Sequence, residues 1–262
     1  MLIDTHCHLD ASEFASDRGA MLQASRLAGV RAFVVPAIGV GHFDGVHRLV
    51  QEQGDVYFAL GIHPLLVDGS ADEDLNRLRK AVKAAMNHPR FVGLGEIGLD
   101  FFVPGLDLER QQHFFVEQLR LAKELDLPVI MHVRRSVDAV AKQVRRFRPV
   151  SGIAHAFNGS SQQAHQLIDL GMALGFGGAM TFSRALNIRR LATSLPLEAI
   201  VLETDSPDIA PAWRHPERNT PAELPGIAQV LAELRVVPVE EVVAATAANA
   251  RRVLPALADH GR

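Results

Sequence analysis

The sequence predicts an α/β fold built as a closed (β/α)8 barrel. Two patterns lead there: short, continuously apolar, β-rich runs recur eight times, and segments with helical spacing separate them. Strands that are apolar on both sides, each followed by a helix, call for a parallel sheet with both faces covered. Eight such units in about 250 residues match the barrel of this class. A doubly wound open sheet is the structural alternative. No Gly/Ser linker or charge block divides the 262 residues, and no repeat beyond the alternating units is found, so one domain spanning 1–262 is expected.

The first strand is expected in "LIDTHC" from residue 2 and the second in "RAFVVPAI" from 31. "VYFALGI" from 56 and "FVGLGEI" from 91 follow, each a β-branched or aromatic run bounded by turn residues. A helix is then expected over "LERQQHFFVEQLRLAKEL", where Phe115, Leu119, Ala122 and Leu125 share one face. The remaining strands are "PVIMHV" from 128, "GIAHAF" from 152, "MALGFGG" from 172 and "AIVLETD" from 199. A last helix in "PVEEVVAATAANARRVL" should pack at the end of the barrel.

Hydrophobic residues make up 48% and charged residues 22% of the chain, the balance of a folded, water-soluble protein. No apolar run reaches the roughly 18 residues of a membrane span, and the opening "MLIDTHCHLD" lacks the basic-then-apolar layout of a signal peptide. With Cys7 as the single cysteine, no internal disulfide can form, and a cytoplasmic location without membrane association is expected. A net charge of -3 and a pI of about 6.5 exclude a broad basic surface gripping nucleic acid through its phosphates, while leaving compact, local binding open. No obligate protein partner is inferred.

On a strand, alternate side chains share a side, so His6 and His8 in "DTHCH" should project together while Cys7 points away and packs. Glu96, His132, His155 and Asp205 are each expected at the C-terminal end of a different strand, the fourth, fifth, sixth and eighth. In a barrel those ends converge on one mouth, where catalytic residues of the fold gather. Each residue also has a plainer reading: Glu96 paired with Arg134, His132 and His155 as satisfied core histidines, Asp205 capping a turn. Taken together, four histidines and two carboxylates suffice for two divalent ions.

"GLGEIGLD" at 93–100 also fits the glycine spacing of a dinucleotide loop. That motif requires a helix opening directly from the loop, whereas "LDFFVPGLD" intervenes, and Glu96 would repel the pyrophosphate. The glycines are therefore read as allowing close backbone packing, and Glu96 as the functional residue. No G-x-S-x-G elbow is present, and Cys7 lacks an activating setting of its own.

These residues resemble the TatD family of metal-dependent hydrolases over nearly the whole chain. The resemblance rests on "DTHCH", "GIHP" at 61–64, "GEIGLDFF" at 95–102, Gln111, Phe115 and Gln118 ahead of "LPVIMHVR", "HAFNG" at 155–159, "ETDSPDIAP" at 203–211 and "RNTP" at 218–221. It implies that His6, His8 and Asp205 hold one cation, His132 and His155 the other, and Glu96 bridges both, with His63 beside the substrate phosphate. It further implies a deoxyribonuclease acting on single-stranded DNA from the 3′ end. Arg134-Arg135 stands where the family commonly has Arg-Asp, and "HAFNG" replaces the more usual "HCFSG", so the chain resembles a divergent subgroup.

The expected chemistry is phosphodiester hydrolysis by an activated water, with Asp205 orienting or deprotonating it. Mixed imidazole and carboxylate donors suit zinc or manganese, and magnesium less well. Arg134, Arg135 and Arg184 are candidates for phosphate contacts, and Trp213 for stacking a base or plugging its loop. The alternative enzyme is a binuclear hydrolase of a small-molecule amide, lactone or phosphoester, which the same barrel could serve. A metal-binding protein without turnover is the reading outside enzymology.

Overall fold

The computed structural model describes residues 1–259, so the last three positions of the expected 1–262 domain lie outside the described residues. The strands are β1 (Leu2–Asp4), β2 (Val30–Pro36), β3 (Val56–Leu60), β4 (Phe91–Asp100), β5 (Val129–Arg134), β6 (Gly152–Ala154), β7 (Met172–Phe176) and β8 (Ile200–Leu202). All neighbouring pairs are parallel and in chain order. Thr5 donates its backbone N–H and its hydroxyl to the carbonyl of Leu202, which stitches β8 back towards β1 and makes the sheet a (β/α)8 barrel.

The α-helices are α1 (Arg18–Leu27), α2 (Phe43–Glu52), α3 (Glu73–Ala85), α4 (Leu108–Glu124), α5 (Val137–Phe147), α6 (Ser161–Asp169), α7 (Leu186–Ser194), α8 (Leu224–Arg235) and α9 (Val239–Val253). No helix among the described residues is long and apolar enough to cross a membrane. Two apolar clusters follow from period-2 alternation along buried strands. Val35, Phe58, Leu94, Ile97, Met131 and Leu174 point outward and pack against the helices. Val34, Tyr57, Val92, Ile130, Ile153 and Val201 fill the barrel, where Ala250, Val253 and Leu254 of the last helix and its exit close the end opposite the site.

β4 departs from the expected strand in a way that matters for the site. It does not end at Ile97 but runs on to Asp100. Between the pairs Leu94↔Val129 and Ile97↔Met131 it takes three steps while β5 takes two, which is a β-bulge. Leu94 and Ile97 therefore both face outward although they are three positions apart. The extra residue turns Glu96 into the barrel mouth and resets the alternation, so that Asp100 also faces inward, toward His132.

The glycines of "GLGEIGLD" are steric in purpose. Gly93 and Gly98 adopt φ of 145° and 146°, a region closed to side chains, and a Cβ on either would collide with a carbonyl of the β5 segment, that of Pro128 or of His132. Gly98→Ala should therefore cost about 1–3 kcal/mol in backbone strain before the displacement of β5 is counted. The check is the urea midpoint, and a variant within experimental error of the parent would refute this steric account.

Candidate functional site

β1 ends at Asp4, so His6 and His8 lie beyond the strand and not on it as expected. Their convergence survives because the segment stays extended. The backbone N–H groups of Thr5 and Cys7 bond to Leu202 on one side and Val34 on the other, and Cys7 packs in the outer cluster. Asp4 ties this segment to the β8 exit, accepting from the backbone N–H of Thr204 at 3.0 Å, the Thr204 hydroxyl at 2.6 Å and the His6 N–H at 3.3 Å. Asn219 of "RNTP" donates to the carbonyls of Thr204 and Asp208, both at 2.8 Å, and so holds the other side of that loop.

Five of the six separations among His6 Nε2, His8 Nε2, Asp205 Oδ1 and Glu96 Oε2 are 3.2, 3.2, 3.5, 3.5 and 3.6 Å. A tetrahedral cation bound at about 2.0–2.2 Å has donor-to-donor edges of about 3.3–3.6 Å, so His6 and His8 together with either carboxylate match one face of such a shell. The other oxygen of Glu96, Oε1, lies 2.8 Å from His155 Nε2 and 3.1 Å from His132 Nδ1, and those two nitrogens are 3.3 Å apart. This second set offers three donors, a number that leaves room for water or substrate. His155 also falls within ligand reach of His6 and Asp205, and its ring stacks on His6 at 3.9 Å.

Neighbouring hydrogen bonds give His132 and His63 opposite roles. His132 Nε2 donates to Asp100 Oδ2 at 2.8 Å, which leaves the Nδ1 lone pair aimed at the cluster. His63 Nδ1 instead accepts from the backbone N–H of Leu65 at 3.1 Å. Its neutral ring therefore carries the proton on Nε2, 3.2 Å from Glu96 Oε1, as a donor and not a lone pair. Although His63, Glu96 and His132 are close enough to share an ion, this tautomer argues that His63 does not ligate.

Helix α4 supports both groups. Gln118 brackets Ile62 with a donated and an accepted bond, at 3.1 and 2.8 Å, next to His63, while Gln111 Oε1 accepts from the Asp100 N–H at 3.0 Å. Asp100 and Glu203 contact the cluster, and sequence reasoning did not single them out. Asp100 could have been found as an inward position four residues after Glu96. Glu203 opens the "ETDSPDIAP" run; it accepts from the Ala156 N–H and lies 3.8 Å from His155 Nδ1. Replacing Asp100 by Asn should weaken metal binding about 10–100-fold, because an amide no longer holds the His132 proton on Nε2. Competition with a chelator measures this, and unchanged affinity would remove Asp100 from the site.

Charge is concentrated here. Burial opposes ionisation of Glu96, yet His63, His155, His6 and His132 around it hold its carboxyl well below the usual range. Burial likewise opposes the imidazolium of His8 and His155, but the Asp205 hydrogen bond and the Glu96 charge lift His8 to about 9, and Glu96 and Asp205 lift His155 to about 10. Burial pushes Asp4 up to about 7 and Glu203 up to about 8. Raised histidines stabilise the fold fully below their unfolded value of about 6.5 and lose that contribution as pH climbs to the folded value, and raised carboxyls lose stability over an overlapping range. The metal-free protein should therefore lose melting temperature between about pH 6.5 and 10. Bound cations should remove most of this slope, since they take the place of the protons; a slope equally steep with metal would contradict it.

Above the cluster opens a cleft of about 860 Å³, lined among others by His8, Asp10, His63, Glu96, Phe102, His132, Arg134, Arg135, His155, Asp205 and Asp208. The sequence of the family described as "TatD related DNase" matches residues 3–255. The chain belongs to the TatD family. It is a metal-dependent hydrolase. It is 40% identical, over 94% of its own length and 95% of the other's, to "Uncharacterized metal-dependent hydrolase YjjV" of Escherichia coli. The crystal structure of that TatD homologue superposes with a TM-score of 0.93 at 38% identity, covering 97% of this chain and 98% of the other. A human relative, "Deoxyribonuclease TATDN3", is 32% identical over 98% of this chain and 95% of its own.

The fold thus brings His6, His8, Glu96, His132, His155, Asp205 and His63 of this TatD-family chain together, with Arg134 on the cleft rim. Arg184 is not among the cleft-lining residues: it is exposed, with its guanidinium carbon 5.7 Å from the centre of the Phe182 ring. Trp213 is also away from the cleft, donating to Glu223 at 2.7 Å and leaning on Gly226, as a loop plug would.

Proposed function

We propose that this TatD-family hydrolase cleaves phosphodiesters at the 3′ end of single-stranded DNA, using two divalent cations, zinc or manganese in preference to magnesium. The observation that supports it most is the division of Glu96, whose two oxygens face two separate donor sets. Bound there, the cations would supply Lewis acidity toward a phosphoryl oxygen and a more acidic water.

The protein's own part is positioning and proton transfer. Burial raises the Asp205 carboxyl, but the His8 hydrogen bond and the charges of His155, His6 and His8 outweigh it, so Asp205 stays ionised and can accept a proton from the attacking water. His63, kept neutral by burial and protonated on Nε2, donates to a phosphoryl oxygen. Arg134 on the rim supplies a cationic contact to the strand. The DNA substrate draws on the family's description and on the human relative's name. The whole barrel acts as one unit, and its single buried thiol suits the cytoplasm.

The deciding experiment is hydrolysis of end-labelled single-stranded DNA by metal-stripped protein after adding back magnesium, manganese or zinc. Stepwise shortening from the 3′ end that needs both metal and Glu96 is the expected result. Absence of cleavage with every metal would overturn the nuclease reading in favour of a small-molecule amide, lactone or phosphoester.

A further inference from the structure

The cleft carries opposite charge on opposite sides. Asp10, Glu13 and Asp208 line it beside β1 and β8, while Arg134 and Arg135 line it beside β5, across the barrel. Among the described residues neither guanidinium has a carboxylate or hydrogen-bonding partner. Both rest on one ring, with Arg134 Cζ 3.9 Å and Arg135 Cζ 4.7 Å from the centroid of Phe102, which is 44% exposed.

Two consecutive strand residues would point to opposite sides. Here Arg135 takes φ of 55°, left-handed backbone that non-glycine residues rarely adopt, and this brings the second guanidinium to the same ring. Gathering two unpaired cations in this way leaves a site that an anion would complete. The ring is anchored to the metal centre by Asp100, whose Oδ1 accepts from the N–H groups of Phe102 and Val103 at 2.8 and 3.0 Å while its Oδ2 accepts from His132. Arg134 lies two residues beyond His132 on the same side of β5, about 6.6 Å further out. That step is comparable to the spacing of successive phosphates along a single strand.

Resting on the phosphodiesterase reading, we propose that Phe102, Arg134 and Arg135 form a second phosphate subsite, which takes the phosphate next to the scissile one. The enzyme would then prefer a phosphodiester within an oligonucleotide to an isolated one, with the acidic wall across the cleft keeping the backbone on the arginine side.

The test compares two single-stranded oligonucleotides, identical except that one carries an uncharged methylphosphonate in place of that adjacent phosphate. Both are offered to metal-loaded parent protein and to the Arg134→Gln/Arg135→Gln double variant, reading kcat/KM by cleavage and Kd by fluorescence anisotropy. Neutralising the phosphate should cost the parent about tenfold or more in either quantity, and the variant less than about twofold. Equal penalties in the two proteins would overturn the subsite. Phe102→Ala, which removes the ring but neither charge, should shrink the parent's penalty to about threefold, and an undiminished penalty would overturn the ring's role. If the parent cleaves neither oligonucleotide, the phosphodiesterase reading fails alone, and the Kd comparison still decides whether the subsite exists.

Discussion

Glu96→Gln should abolish most activity and reduce the bound metal at once. The side chain keeps its size, but it offers one neutral oxygen where two charged ones faced His6 and His8 on one side and His132 and His155 on the other. Several kcal/mol of charge stabilisation at about 1.4 kcal/mol per tenfold corresponds to a loss of about 10³-fold or more in kcat/KM. Metal analysis after dialysis should show about one cation or fewer per chain, against the roughly two proposed for the parent. In the metal-free state the same change removes the counter-charge that lifts His8 and His155. Their protons should then leave nearer the unfolded value of about 6.5, so the alkaline fall in melting temperature should still begin near pH 6.5 but be smaller and end at lower pH. A Glu96→Gln protein with parental turnover and metal content would remove the bridging role.

Asp205→Asn should act on turnover more than on metal. Asp205 sits at φ of 55°, a conformation asparagine tolerates better than alanine, so the amide is the substitution that spares the backbone. The amide oxygen can still face His6 and His8, but it cannot accept a proton from water. Loss of a general base typically costs about 10²–10⁴-fold, and that fall is expected in kcat with KM changed far less. The measurement is steady-state cleavage at saturating metal, with occupancy checked by elemental analysis. Full turnover in a metal-loaded variant would contradict the proton-transfer role.

The two substitutions separate holding the ions from moving the proton. Glu96 touches both donor sets, so its loss is felt in binding before chemistry. Asp205 meets His6 and His8 through Oδ1, and its ionised state is maintained by those imidazoles together with His155. Activity should therefore need Asp205 charged and His8 and His155 free of protons for metal.

The barrel itself was legible in the linear pattern. Continuous apolar runs such as "RAFVVPAI" can be buried on both sides only in a covered parallel sheet, and the helical spacing of 108–125 supplies the cover. Once strand ends converge, the histidines and acids at those ends must meet, which is why His6, His8, Glu96, His132, His155 and Asp205 could be grouped before any coordinates. That inference needs only the chain order of the strands, a property of the linear sequence.

Tertiary structure decided what depends on a second chain segment. The bulge that aims Glu96 inward is visible only as a mismatch of β4 against β5, and Asp100 becomes an acceptor for His132 because of that mismatch. The tautomers of His63 and His132 are set by Leu65 and Asp100, partners that side-chain identity does not announce. Arg184 and Trp213 sit near strand ends in sequence yet do not line the cleft, because loops are placed by their own contacts and not by the period of the strand before them. Residue types and spacing determined the fold and which groups gather; register, hydrogen-bond partners and loop direction determined which of them hold, donate or accept.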